Sequence, residues 1–336
     1  LWFLHDSLEE SAEGMDECWK QTGGKWLPSR TLDKSPTNKL ILNTHLDTTV
    51  ALHRYGEVTG DNRYADDVDS AHSAACSSLR LKPAEQLYRL VYSAIGLTLL
   101  PEPEAMSLPL PVRAIKRLTA NYLIPQLYRI KRRYPRFVMP GGLIERHLAP
   151  LHFNIQYHAV NTMDLARLLH CFPDDDLAVI LDKAITFVTD NNILQYWSES
   201  KPRRYALVMW VDALYRVCIL NQQKKYRAQL AEAITYVEDT GLGLPPAILG
   251  TESEMIKRSE QMPCLSPTDA RLRVVNLSNA GQVELLVINS THTDLELIWE
   301  KSKNLRLSWV TAAGQVVPID SPVHVPARGW IRGREY

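Results

Sequence analysis

No stretch of this chain approaches the roughly 18 consecutive apolar residues of a membrane-spanning helix. No basic start followed by an apolar run resembles a secretion signal either. Net charge is also missing: 38 Lys and Arg balance 38 Asp and Glu, so no whole-molecule field draws in nucleic acid or a membrane surface, and any such attraction must be local. Cysteine is scarce. The five thiols, Cys18, Cys76, Cys171, Cys218 and Cys264, are odd in number and far apart, with no CxxC pair and no cysteine–histidine ligand spacing. That excludes a disulfide framework or a zinc site of the usual kind and predicts free buried thiols, favouring a reducing compartment such as the cytoplasm. HExxH, the P-loop, GxSxG and the glycine pattern of dinucleotide sites are all lacking, so neither cofactor nor metal is expected. Two Asn-x-Ser/Thr matches, at Asn276 and Asn289, are too common by chance to imply secretion.

What is present is ordinary globular composition, 45% hydrophobic and 23% charged over 336 residues, enough for one large core or two domains. The chain opens on Leu1-Trp2-Phe3-Leu4, apolar and without Met, which predicts that residues 1–36 continue an upstream part. In that segment the sequence predicts a short strand at Trp2–Leu4 and a helix around Ser7–Trp19.

From Thr37 or Asn38, either able to cap, apolar residues at helical spacing predict a helix to about Val58, stopped by Thr59-Gly60-Asp61. A second helix, Arg63 to Leu79, makes the pair an antiparallel hairpin. The same grammar predicts helices from Pro83 to Leu100, Val112 to Arg133 with a kink at Pro125, Asn154 to Leu169, Asp175 to Thr189, Arg203 to Leu220 and Lys225 to Val237. No fixed-period repeat is found, which argues against a consensus solenoid. After two proline-rich stretches near Pro245 and Pro267 the pattern changes to short Val-, Ile-, Leu- and Trp-rich runs: Arg271–Leu277, Val283–Ile288, Leu295–Trp299, Arg306–Val310, Val316–Ile319 and His324–Ile331. The expectation is a mainly α protein: helical hairpins over 37–262 as a bundle or closed ring, then a small antiparallel β-domain over 263–336.

Polar residues at structured positions mark the candidate site. Tyr157 and His158 open a helix whose remainder, Met163, Leu165, Leu168 and Leu169, is built for packing. Tyr157 could equally pack its ring between hairpins and His158 cap the helix. Asn43 and Asp47 share a face of an otherwise apolar helix, with His45 on another; they bind either a ligand or a neighbouring helix. Trp197 and Glu199 combine an aromatic ring with a carboxylate, as sugar clefts do. Trp210 reads as core. The cationic run Arg129–Arg136 could track an anionic polymer, but cations in the last turn of a helix also complement its carbonyl end. Lys201–Tyr205 is a lesser case of the same kind.

Two stretches carry a resemblance. Leu42-Asn43-Thr44-His45-Leu46-Asp47 with Thr59-Gly60-Asp61 and Tyr64 resembles inner-helix segments of (α/α) toroid carbohydrate enzymes. Arg146-His147 followed by Tyr157-His158-Ala159-Val160-Asn161 resembles the RH and YHxxH pattern of D-glucuronyl C5-epimerases. The resemblance spans about residues 38–190 and implies an (α/α) toroid, complete or incomplete, acting on an acidic, uronate-containing polysaccharide. Asn161 stands where that family has a second histidine, and Glu145 lies near the place of its preceding tyrosine. C5 epimerisation needs two acid/base groups flanking the sugar and a cation for the developing charge. The resemblance therefore implies Tyr157 with His158 or Glu145 as the catalytic groups and Arg146 as carboxylate clamp. His147, Asn161, Asn43, Asp47, Trp197 and Glu199 would be further substrate contacts. A lyase or hydrolase on the same scaffold, or a silent glycan-binding protein, are the alternatives.

Overall fold

The computed structural model describes residues 1–3, 41–81, 85–98, 100, 102–133, 138, 141–144, 148–149, 152–153, 155–250, 265–279, 282–299, 306–318 and 321–335. The predicted helix Ser7–Trp19, the caps Thr37 and Asn38, Cys18, Cys264 and the candidates Glu145, Arg146 and His147 lie outside them. Contacts divide the chain into two compact units, Leu1–Phe187 and Val188–Tyr336. The chain is mainly helical with a small antiparallel sheet at its C-terminal end.

In the first unit α1 (Leu42–Thr59) and α2 (Ala65–Leu79) form the expected hairpin. Gly60 ends α1 in the left-handed region at φ 72°, its N–H bonded to Gly56 O at 2.8 Å, a conformation that costs glycine little. α3 (Glu85–Thr98), α4 (Glu102–Ser107), α5 (Leu110–Leu118) and α6 (Ile124–Arg133) follow. The kink expected at Pro125 is a π-turn over Thr119–Leu123. Proline has no N–H for the carbonyl four residues back, and the wider turn bonds Ile124 N–H to Thr119 O instead. Two short strands, β1 (Leu148–Ala149) and β2 (His152–Phe153), precede α7 (Ile155–Cys171), and α8 (Asp175–Asp190) runs across the unit boundary.

The second unit adds α9 (Ile193–Ser198), α10 (Tyr205–Leu220), α11 (Lys224–Asp239) and α12 (Pro246–Leu249). Its sheet orders β3 (Leu272–Asn276), β4 (Glu284–Asn289), β8 (Gly329–Glu335) and β6 (Leu307–Thr311) antiparallel, and β5 (Leu295–Glu296) pairs with β7 (His324–Val325) separately. Leu285, Val287, Trp309, Val325 and Ile331 make the β core. The run expected as one strand, His324–Ile331, is two strands broken by a turn at Ala327-Arg328. Val316 makes only an isolated bridge to Val310.

Helix gives way to strand where the composition changes, yet the contact boundary falls earlier, inside α8. Charge ties α10 and α11 to the sheet. Arg227 on α11, 1% exposed, donates from Nε to Glu284 Oε1 on β4 at 2.5 Å, and Arg334 on β8 donates to Glu284 Oε2 at 2.7 and 2.9 Å. Arg227 also donates to the carbonyls of Cys218 and Asn221, satisfying the end of α10. At the rim Arg328 forks onto Asp239 at 2.7 Å twice, and Arg273 pairs with Glu238. A buried carboxylate between two guanidiniums tolerates loss of a partner badly, because the remaining charge is stranded away from water. Glu284→Gln is expected to lower unfolding stability by roughly 3 kcal/mol in urea melts, with Arg273→Gln at the exposed rim costing well under about 1 kcal/mol.

Candidate functional site

The polar residues at the start of α7 do not share one role. Neighbours on a helix point about 100° apart, and here that rotation divides solvent from core. Tyr157 is 43% exposed, whereas His158 is 0% exposed. Ile144 N–H donates to His158 Nδ1 at 2.9 Å, which leaves the ring proton on Nε2, and Nε2 donates to Ala184 O at 2.9 Å. Phe187 meets the ring edge-on at 5.2 Å between centroids. Asn161 donates from Nδ2 to the carbonyl of the same Ile144 at 3.2 Å. One turn of α7 thus grips both backbone groups of Ile144 and ties them to α8. Gly142, at φ 93°, lets this segment lie against α8, since a Cβ there would run into the Lys183 carbonyl.

His158 is therefore corrected from an acid/base to a clamp: both ring nitrogens are bonded to backbone. Burial lowers its pKa to about 4 against the weaker opposing effect of the Ala184 carbonyl, keeping the ring neutral. Asn161 is corrected from substrate contact to clamp on the same grounds. Trp197 is corrected as well: it is fully buried and packs on Trp210 at 5.8 Å in the second unit's core. Glu199 is exposed, 3.3 Å from Gln195 Nε2. Asn43 is half-buried on the first turn of α1. Asp47 is exposed and accepts from Arg167 of α7 at 3.5 Å, while Arg167 lies 3.7 Å from the buried Asp164.

His45, on a different face of α1 from Asn43 and Asp47, repeats the clamp. Phe3 N–H donates to its Nδ1 at 3.1 Å, its Nε2 donates to Ala71 O at 3.0 Å, and Trp2 stacks on the ring at 3.8 Å. Its pKa is also lowered to about 4, by burial first. In each copy the carbonyl lies 26 residues beyond the histidine, and a threonine four residues on (Thr49, Thr162) donates to the histidine carbonyl at 2.7 Å. His45 to His158, Thr49 to Thr162 and Ala71 to Ala184 are all displacements of 113 residues. Leu52/Leu165, Arg54/Arg167 and Asp61/Asp174 keep the same displacement. The hairpins α1–α2 and α7–α8 are one design used twice, with α1 and α7 packed on each other. A search for a fixed period misses a single duplication.

The hairpins also join at their loops. Phe172, beyond α7, lies 4.6 Å from His53 and stacks at 4.6 Å on His72, while Arg80 reaches Asp174 at 2.8 Å. Beside Phe172 is a cleft of about 270 Å³ lined among others by His53, Glu57, Asp61, Tyr64 and Asp69. Asp61 is committed: Arg63 bonds to it at 2.6 Å and holds its carboxyl below the usual range, and the Tyr55 hydroxyl donates to it at 2.9 Å. The Thr59-Gly60-Asp61 motif is thus a loop lock, and the cleft is small beside the roughly 300–1,000 Å³ of small-molecule sites. Asp61 and Tyr64, which carry part of the resemblance, line it, whereas the residues expected to act on or bind a substrate are not among its lining. Among the described residues no group of three His, Cys, Asp or Glu is arranged for a metal ion, and no helix is long and apolar enough to cross a membrane.

Of the three thiols described, Cys218 is pushed up to about 12 by burial, so it is inert. No protein-family model, curated protein or solved structure matches the chain.

The twin clamps fix a pH dependence. Both histidines are neutral when folded, with pKa near 4 against 6.5 unfolded, so between these values the unfolded chain binds more protons. Stability is lost as pH falls from about 6.5 to 4, on the order of 3 kcal/mol per histidine. Urea melts should show His45→Gln and His158→Gln each less stable than wild type at pH 7 and each with a flatter decline across that window.

Proposed function

We propose that the protein acts on an acidic, uronate-containing polysaccharide, on a ring of helical hairpins of the (α/α)-toroid kind, complete or incomplete. Tyr157 is one acid/base group in this reading and the Glu145–His147 segment supplies the rest. The observation that carries it is the grip on Ile144. His158 and Asn161 fix Ile144, the residue from which the chain enters Glu145-Arg146-His147, and they stand on the same first turns of α7 as the exposed Tyr157. The duplicated hairpin, with its first helices packed together, is what a toroid built by repetition of one unit would contain.

The chemistry then divides as follows. A Glu145 carboxylate takes the C5 proton, the C–H electron pair moves into the uronate carboxylate, and the Arg146 guanidinium meets the added charge through two hydrogen bonds. The Tyr157 O–H returns a proton to C5 from the other face. Both groups reset by exchange with solvent. His158 and Asn161 position this machinery without touching the sugar.

A second reading, a glycan-binding protein without turnover, is favoured by one observation: the histidine next to Tyr157 has no ring nitrogen left for proton transfer. The two separate on incubation with a uronate polymer in deuterated water. The expected result is deuterium at C5 without an ultraviolet-absorbing double bond, reduced by about 10²–10⁴-fold in Tyr157→Phe with polymer binding retained. A double bond indicates a lyase and new reducing ends without one a hydrolase. Binding without exchange supports the silent protein, and absence of binding overturns both readings.

A further inference from the structure

α5 is inverted. In a surface helix the apolar stripe faces the core and the charges face water. Here Leu110, Ala114 and Leu118, four residues apart and so on one face, are all exposed, and no residue of α5 is buried. Leu110 is 77% exposed, Leu118 57%, and Ile115 beside them 47%; Tyr122 in the π-turn continues the surface at 69%. Val112, Arg113 and Lys116, on the other side, are the half-buried ones, and Arg117 is exposed at the margin. Four large apolar side chains standing in water along α5 and the π-turn mark a surface that something covers.

Charge says what. From Ala105 to Ile144 the chain has no Asp or Glu and eight Lys or Arg, three of them in α5. The covering surface is therefore anionic as well as apolar. A second copy of the same face would bring its cations against their own kind across a two-fold interface, where like meets like. A soluble acidic polysaccharide matches the cations but leaves the aliphatic face unsatisfied. An anionic lipid surface satisfies both: Leu110, Ile115 and Leu118 enter the acyl boundary, the Tyr122 ring sits at headgroup level, and Arg117 at the margin meets phosphates and carboxylates.

We propose that α5 and the adjoining π-turn are a peripheral docking site for an anionic lipid bilayer, lying in its plane. This does not depend on the polysaccharide reading. One short helix gives reversible binding, strengthened by each anionic headgroup recruited.

The test is sedimentation of the full chain with phosphatidylcholine vesicles, with or without about one third phosphatidylserine. Binding is expected to the anionic vesicles, little to the neutral ones, and a marked fall at about 0.5 M salt as charges are screened. Ile115→Ser/Leu118→Ser, which keeps every charge, should weaken binding at least about ten-fold. Arg117→Gln should weaken it by about five-fold. Circular dichroism checks that both variants stay folded, as substitutions at unburied positions should. Failure to bind anionic vesicles overturns the proposal. So does binding indifferent to the Ile115/Leu118 change, which would mark a purely electrostatic surface open to any polyanion, and so does self-association that hides this face without vesicles.

Discussion

Two buried imidazoles, each between a backbone N–H and a backbone carbonyl, are what the first unit is assembled on. A neutral histidine offers one acceptor and one donor, and His45 and His158 use both to bridge an incoming extended segment to the second helix of a hairpin. Each bond contributes only about 1 kcal/mol net, but a buried donor or acceptor left unpaired costs about 1–3 kcal/mol, so the register of segment, first helix and second helix is fixed together. With the hairpins set, their mutual packing follows: Asp47 meets Arg167, Phe172 seats against His53 and His72, and Arg80 closes on the start of α8. Ile144 and Tyr157 inherit their relation from that assembly. The second unit solves a like problem with charge, Arg227–Glu284–Arg334 binding helices to sheet, which holds only while all three partners remain.

The longer helices and most of the strands of the second unit were legible in the sequence because period and punctuation report local geometry; the short α4, α9 and α12 were not. Gly60 as stop, Pro125 as a break and the change to strands after Pro267 are all decided within a few residues. The site was legible only by half. Polar residues on a packing helix were read together, but rotation by one residue makes Tyr157 a solvent group and His158 a core group. No local pattern says that a backbone fourteen residues upstream will satisfy the imidazole. Trp197 failed for a related reason: aromatic beside acid describes a sugar cleft and the rim of a core equally well.

The duplication was hidden because what survives is structural and sparse. His, Thr, Leu, Arg, Asp and Ala persist at one displacement, while apolar positions exchange freely, Leu46 for Ala159 and Val50 for Met163. Volume there is shared with neighbours and tolerates such exchange. The inverted face of α5 was hidden differently. Helical spacing reveals that a helix has two faces, but only the packing reveals which one is in water.

The clamp geometry is open to direct observation in the nitrogen-15 spectrum of the histidine side chains at neutral pH. His45 and His158 should both be neutral, protonated at Nε2 with Nδ1 an acceptor, and should stay so as pH falls until near 4. Protonation at Nδ1, or titration of either ring near 6.5, would contradict the account.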